Sequence, residues 1–270
     1  MKAHFQIIAI LVGLSVSTSC ATQPEPDGRN ESVGYRTGTV EDDYTSNGER
    51  GNVSISEIHW AGSVRDGDFR HDPDDVFIEL QNKHPRPVFF KGWLLTIEFG
   101  YHADGLRHAP SRRDRAQRTF VLPPRENGRA VETNEFVVIA RKRDGAFADA
   151  DFFLEDLEIP DGPFEMTLQD LDERLMDHVG DERKLPFAGA WDGYTARSME
   201  RIQLIFNNRG NRDSAWHSYR LNDFDDGKRA EFHVQLRERV AEGFKQRTFA
   251  TPGMPNSPDY SGNISTGTFE

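Results

Sequence analysis

An all-β fold is predicted for this chain by three observations. Apolar residues recur with period two in runs of five to seven, turn-forming residues separate the runs, and a single long stretch shows helical spacing. Val76, Ile78 and Leu80 alternate with Phe77, Glu79 and Gln81, and Trp93, Leu95, Ile97 and Phe99 alternate in the same way. Side chains of a strand point to its two faces in turn, so this pattern predicts half-buried strands. Many short strands with turns between them predict a β-sandwich.

The elements follow in order. Phe5 to Val16 is an almost wholly apolar stretch of about twelve residues behind Met1-Lys2. It is too short to cross ~30 Å of hydrocarbon as a helix, and its length fits a signal-peptide core. Ser17-Thr18-Ser19 and the only cysteine, Cys20, come next. Residues 21–52 hold seven acids, three bases and almost no aliphatics, which predicts a flexible tether, since such a segment buries too little apolar surface to offset its ordering entropy. A coil of that length spans roughly 30 Å root-mean-square.

The predicted strands are Ser54–Trp60, the runs around Ile78 and Leu95, Thr119–Leu122, Phe136–Ala140, Phe164–Leu168, Leu175–Val179, Met199–Phe206 and Ala215–Tyr219. Ile55 and Ile58 cannot share one face of a flat strand, which predicts a bulge near Ser56-Glu57. Turns fall at Lys83-His84-Pro85-Arg86-Pro87 and Pro160-Asp161-Gly162-Pro163. Phe232, Leu236, Val240 and Phe244 recur every fourth residue, which predicts a short amphipathic helix over Arg229–Lys245.

Composition excludes several functions. A formal charge of −12 argues against a nucleic-acid partner, whose affinity comes from Lys and Arg on phosphates. One cysteine excludes an intrachain disulfide framework and a Cys-based zinc site. No HExxH, GxSxG, phosphate-cradling loop or EF-hand loop occurs; Asn222-Asp223-Phe224-Asp225-Asp226-Gly227 comes nearest to the last, with its oxygens out of register.

Two resemblances add to this reading. The short apolar core, the small residues and Cys20 resemble the lipobox of bacterial lipoproteins, although Ser17 stands where that family prefers Leu. The resemblance implies cleavage before Cys20, lipid attachment at that cysteine, and a membrane partner through the anchor, in a bacterial envelope at the outer membrane or cell surface. The second resemblance is carried by pieces in sequence order. They are Ile55-Ser56-Glu57-Ile58-His59-Trp60-Ala61-Gly62-Ser63, Phe77-Ile78-Glu79-Leu80-Gln81-Asn82 and Gly92-Trp93-Leu94-Leu95. Leu122-Pro123, Glu135-Phe136-Val137-Val138-Ile139-Ala140, Trp191, Ser198-Met199-Glu200-Arg201 and Trp216 continue the series. Thr251-Pro252-Gly253-Met254-Pro255-Asn256-Ser257 closes it. Together they resemble the lamin-tail domain of bacterial secreted proteins. That implies an immunoglobulin-like sandwich over about 53–260, after a signal peptide (1–19) and tether (20–52) and before a tail (261–270). It implies no catalytic residues.

The candidate sites are therefore few. Glu79, Trp93, Arg201 and Trp216 are expected to be structural, with each charged member satisfied by a partner between packed strands. A direct Glu79–Arg201 pair is one arrangement that would do this. Arg107, Arg112, Arg113 and Arg115 crowd one loop, which suits an acidic partner if it is not a solvated loop balancing an acidic protein. Asp144–Asp177 holds twelve acids against Arg174 alone. Asp149, Asp151, Asp156 and Asp161 are weak candidates for Ca²⁺, with a solvated acidic face as the plainer alternative. No other cofactor is expected. The two functions that remain are a tethered, non-catalytic scaffold binding an envelope protein or glycan, and a metal-assisted hydrolase of envelope polymers.

Overall fold

The computed structural model describes residues 51–100, 117–125, 127–202, 209–220 and 234–258. Its strands in chain order begin with β1 (Val53–His59), β2 (Ser63–Val64), β3 (His71–Asp72), β4 (Phe77–Asn82) and β5 (Leu94–Phe99). Then come β6 (Gln117–Val121), β7 (Phe136–Ala140), β8 (Phe152–Phe153), β9 (Phe164–Gln169) and β10 (Leu175–Asp181). The last are β11 (Ala190–Trp191), β12 (Ala196–Arg197), β13 (Met199–Arg201), β14 (Trp216–Ser218) and β15 (Thr248–Phe249). The fold is all-β.

A six-stranded sheet runs β14-β13-β1-β4-β7-β8 and a four-stranded sheet runs β10-β9-β5-β6. Two small sheets, β11-β12-β15 and β2-β3, complete the set. Both larger sheets feed one apolar core. Val53, Ile55, Ile58, Ile78 and Leu80 come from the six-stranded sheet, and Leu95, Ile97, Phe164, Met166, Leu168 and Val179 from the four-stranded one. Trp93, just ahead of β5, is fully buried in this core, edge-on to Phe90 at 4.9 Å.

The expected bulge is present. The β1–β4 register shifts between Ile55 and Glu57, which lets both Ile55 and Ile58 enter the core while Glu57 turns to the opposite face.

The half-buried reading holds for β9, where Phe164, Met166 and Leu168 are buried and the residues between them are not. It fails for β1 and β4, which are buried on both faces. A second apolar cluster covers the far face of the six-stranded sheet: Phe77, Val138, Ala140, Ala146, Phe147, Val240 and Ala250. Polar alternation marks a solvated face only when nothing packs over it, and here the segments 146–153 and 236–257 do.

The expected helix over Arg229–Lys245 is also corrected. Among the described residues of this stretch, 234–236 are helical, and turns follow to 247. Leu236 and Val240 are buried and Phe244 is half-buried. They get there through a chain of i→i+3 turns, such as Val240 N–H to Arg237 O (3.1 Å) and Phe244 N–H to Ala241 O (3.2 Å). Ala241 N–H donates to Ala146 O at 2.8 Å, which takes it out of any helical ladder, and Gly243 sits at φ +87°. Tertiary bonding overrides the four-residue spacing.

Candidate functional site

Three glutamates occupy facing positions on adjacent strands. β1 pairs with β13 so that Glu57 is opposite Glu200, and with β4 so that Glu57 is opposite Glu79. Directly opposed residues share one face of a sheet with Cβ atoms roughly 4.5–5.5 Å apart. All three side chains are fully buried. Like charges at that spacing, out of water, repel strongly, so the row is compatible with burial only if protons and hydrogen-bond donors neutralise it.

The donors come from the closing segment Thr251–Ser257, which lies across the row. Thr251 N–H donates to Glu57 Oε1 (2.9 Å) and Gly253 N–H to Glu79 Oε2 (2.6 Å). Ser257 N–H donates to Glu200 Oε2 (3.2 Å), and the Ser257 hydroxyl donates to the same oxygen. Ser56 Oγ, on the bulge, donates to Glu79 Oε1 at 2.6 Å. Asn256 adds two bonds from Nδ2, to Ser56 O and Arg201 O, each 2.8 Å. Gly253 is required here: its φ is +73°, and a Cβ would stand 2.7 Å from Arg239 Cδ.

Proton counting gives the state of the row. Thr251 Oγ1 lies 3.1 Å from Glu57 Oε2 and 3.0 Å from Glu200 Oε1. A hydroxyl has one proton, so it can donate to one of them; the other contact closes only when that acid carries its own proton and donates back. Burial pushes the Glu57 carboxyl up from 4.5 to about 7, against hydrogen bonds from Ser198 and Thr251. Burial first, and then the neighbouring Glu57 carboxyl, hold Glu79 and Glu200 well above the ordinary value. His217 approaches from β14, its Nε2 3.7 Å from Glu200 Oε2. His59, two residues along β1, is buried as a neutral ring whose pKa burial lowers to about 4. A row of carboxylic acids roofed by main chain can store protons and grip that main chain. It cannot reach a substrate while the roof is in place.

Glu79 therefore belongs to this row. The direct Glu79–Arg201 pair is replaced by separate partners. Arg201, on β13, forms a bidentate pair with Asp177 of β10, with Nη2 to Oδ1 at 3.3 Å and Nη1 on Oδ2. Nη1 also donates to Ile55 O (3.0 Å), and Ile55 N–H donates to Asp177 Oδ2 (2.8 Å). The pair thus ties one large sheet to the other at the bulge, and both members are buried. Arg201 also lies over Trp216, 5.7 Å from the ring centre, while Trp216 Nε1–H donates to Gly210 O at 2.8 Å.

Two of the acids considered for Ca²⁺ have arginine partners. Asp151 accepts from Arg125 (2.8 Å) and Arg239 (3.4 Å), and Asp149 from Arg239 (3.0 Å). Asp151 Oδ2 also accepts Val138 N–H at 3.0 Å. These contacts supply the charge relief a cation would have given. Asp156 and Asp161 are exposed on the surface. Among the described residues no group of three or more His, Cys, Asp or Glu is placed to hold a metal ion. Cys20 and the arginines Arg107, Arg112, Arg113 and Arg115 lie outside the described residues.

Sequence reasoning missed Glu57, Glu200, Thr251 and Ser257 as one unit. The signal was a Glu inside each of three strand-like runs, Ile55–Ile58, Phe77–Leu80 and Met199–Arg201.

No protein-family model matches this chain, and no curated protein matches it. Among the described residues, no helix is long and apolar enough to cross a membrane.

Proposed function

We propose that this chain is a lipid-anchored protein of the bacterial cell envelope. In this reading Cys20 holds it at the outer membrane or cell surface, and residues 20–52 space its domain from the bilayer. The domain is lamin-tail-like, an immunoglobulin-like β-sandwich that binds an envelope protein or glycan without catalysing a reaction and without a cofactor. The observation that carries the reading is the use made of the inward-facing charges. Glu57, Glu79 and Glu200 bind the closing segment, and Arg201 and Asp177 join two sheets. Charges used this way serve architecture, which leaves contact to loops carried on a rigid frame.

The proposed contact surface is the basic run Arg107, Arg112, Arg113 and Arg115, complementary to an acidic partner. The test uses purified protein on envelope extracts. We expect a salt-sensitive complex that weakens when Arg112, Arg113 and Arg115 are neutralised together, and no turnover of envelope glycans, peptides or phosphoesters. Turnover abolished by one point mutation would establish the hydrolase instead. Binding unchanged in the triple variant would remove the basic run from the account.

A further inference from the structure

The closing segment lies on three adjacent, fully buried acids, whose charges on ionisation would repel one another out of water. We propose that Thr251–Ser257 and the Glu57–Glu79–Glu200 row form a proton-operated latch, closed when the row is protonated and opened, with the sheet intact, when it ionises.

Three geometric facts carry this. Most of the segment's bonds to the sheet end on the carboxyls, with the N–H groups of Thr251, Gly253 and Ser257 and the hydroxyls of Thr251 and Ser257 on Glu oxygens, beside the two bonds of Asn256 to Ser56 O and Arg201 O. The Thr251 hydroxyl bridges two acids and cannot satisfy both unless one supplies a proton. The row itself sits on backbone pairings that do not depend on the segment, since β1 is bonded between β13 and β4. The roof can therefore lift while its floor stays paired.

The charged and titratable groups around the row are few. His217 faces Glu200 from β14, and His59 shares the face of Glu57 on β1. From the segments packed over that face, Arg239 lies against Gly253 and is paired with Asp149 and Asp151. Glu238, Glu242, Lys245 and Arg237 belong to the same turn segment; Lys245 pairs with Glu242 and Arg237 bonds Lys245 O. Thr251–Ser257 carries no ionisable side chain. The row has Arg239 near its roof and no arginine or lysine hydrogen-bonded or ion-paired to its own carboxyls among the described residues.

The direction follows from linkage. Closed, the acids keep their protons; open, they meet water and ionise above about 4.5. Each proton released on opening makes the open state tenfold more populated per pH unit, until the closed-state value is passed. For Glu57 that limit is about 7, and for Glu79 and Glu200 burial and the neighbouring Glu57 carboxyl hold it well above the ordinary value.

The test is amide hydrogen exchange on the full chain at pH 5, 6, 7 and 8, normalised for intrinsic exchange. Protection of 251–257 should fall about tenfold per pH unit for each proton released, while β1 and β4 keep theirs. Protection of 251–257 that is independent of pH, or that falls in step with β1 and β4, would overturn the latch. Glu200→Gln should remove one proton's worth of the slope, and an unchanged slope in that variant would also count against it. If Glu200→Gln does not fold, the wild-type series decides alone.

Discussion

Removing the guanidinium of Arg201 would leave the Asp177 side chain between two sheets without its ion-pair partner, with Ile55 N–H as its remaining close donor. Breaking a buried pair by removing one partner costs about 3–5 kcal/mol, and Lys83 still attracts Asp177, so Arg201→Met should lower unfolding stability by up to that order in a denaturant titration. Arg201→Met with Asp177→Leu should recover most of the loss, because the pair's desolvation cost disappears with both charges. A double variant as unstable as the single would show that the Ile55 contacts, not the charge, matter most. The sequence made it legible that Arg201 needed a buried partner, because it lies within the expected strand Met199–Phe206. It did not reveal that the partner was Asp177. That residue reads as one acid among twelve, and only the second bulge, between Leu175 and Asp177 in the β9–β10 register, turns it inward.

The trio β13-β1-β4 sets the pH response of the fold. Glu57, Glu79 and Glu200 hold protons in the folded state that the unfolded chain releases above about 4.5. Their contribution is complete below that pH and is lost as pH rises, through about 7 for Glu57 and through the raised values of the other two. His59 acts oppositely. Buried neutral, it stabilises above 6.5 and loses that contribution as pH falls toward about 4. Three acids outweigh one histidine below 6.5, and above it the histidine no longer opposes them. The thermal midpoint should therefore fall from pH 5 to pH 8, by roughly 10 °C or more. Glu57→Gln should flatten the curve. A midpoint that rises over this range would contradict the protonated row. At this scale the strands of both large sheets were legible, because period two survives in their apolar residues. Burial of the polar faces was not legible, since it depends on segments 60 to 200 residues away in the chain. The turns at 237–247 were read as helix for the same reason: four-residue spacing records which residues face inward, not which backbone bonds bring them there.

On the scale of the whole molecule, the account joins an N-terminal address to a domain whose internal charges are already committed. The chain carries −12, and cleavage before Cys20 would remove Lys2 and leave −13. Such a charge suits an extended acidic tether and disfavours adhesion to anionic lipid by electrostatics, so under the proposed function the acyl chains at Cys20 would supply the anchor. Position at the membrane is the claim on which the proposed function depends. It is tested most directly by expressing the full chain and its Cys20→Ala variant in a bacterial host, separating membranes from soluble fractions, and taking intact masses. The account predicts a wild-type protein in the membrane fraction, beginning at Cys20 and heavier than that chain by its lipid, and a variant released to the soluble fraction. A wild-type chain of unmodified mass in the soluble fraction, or a Cys20→Ala variant still bound to membranes, would contradict it.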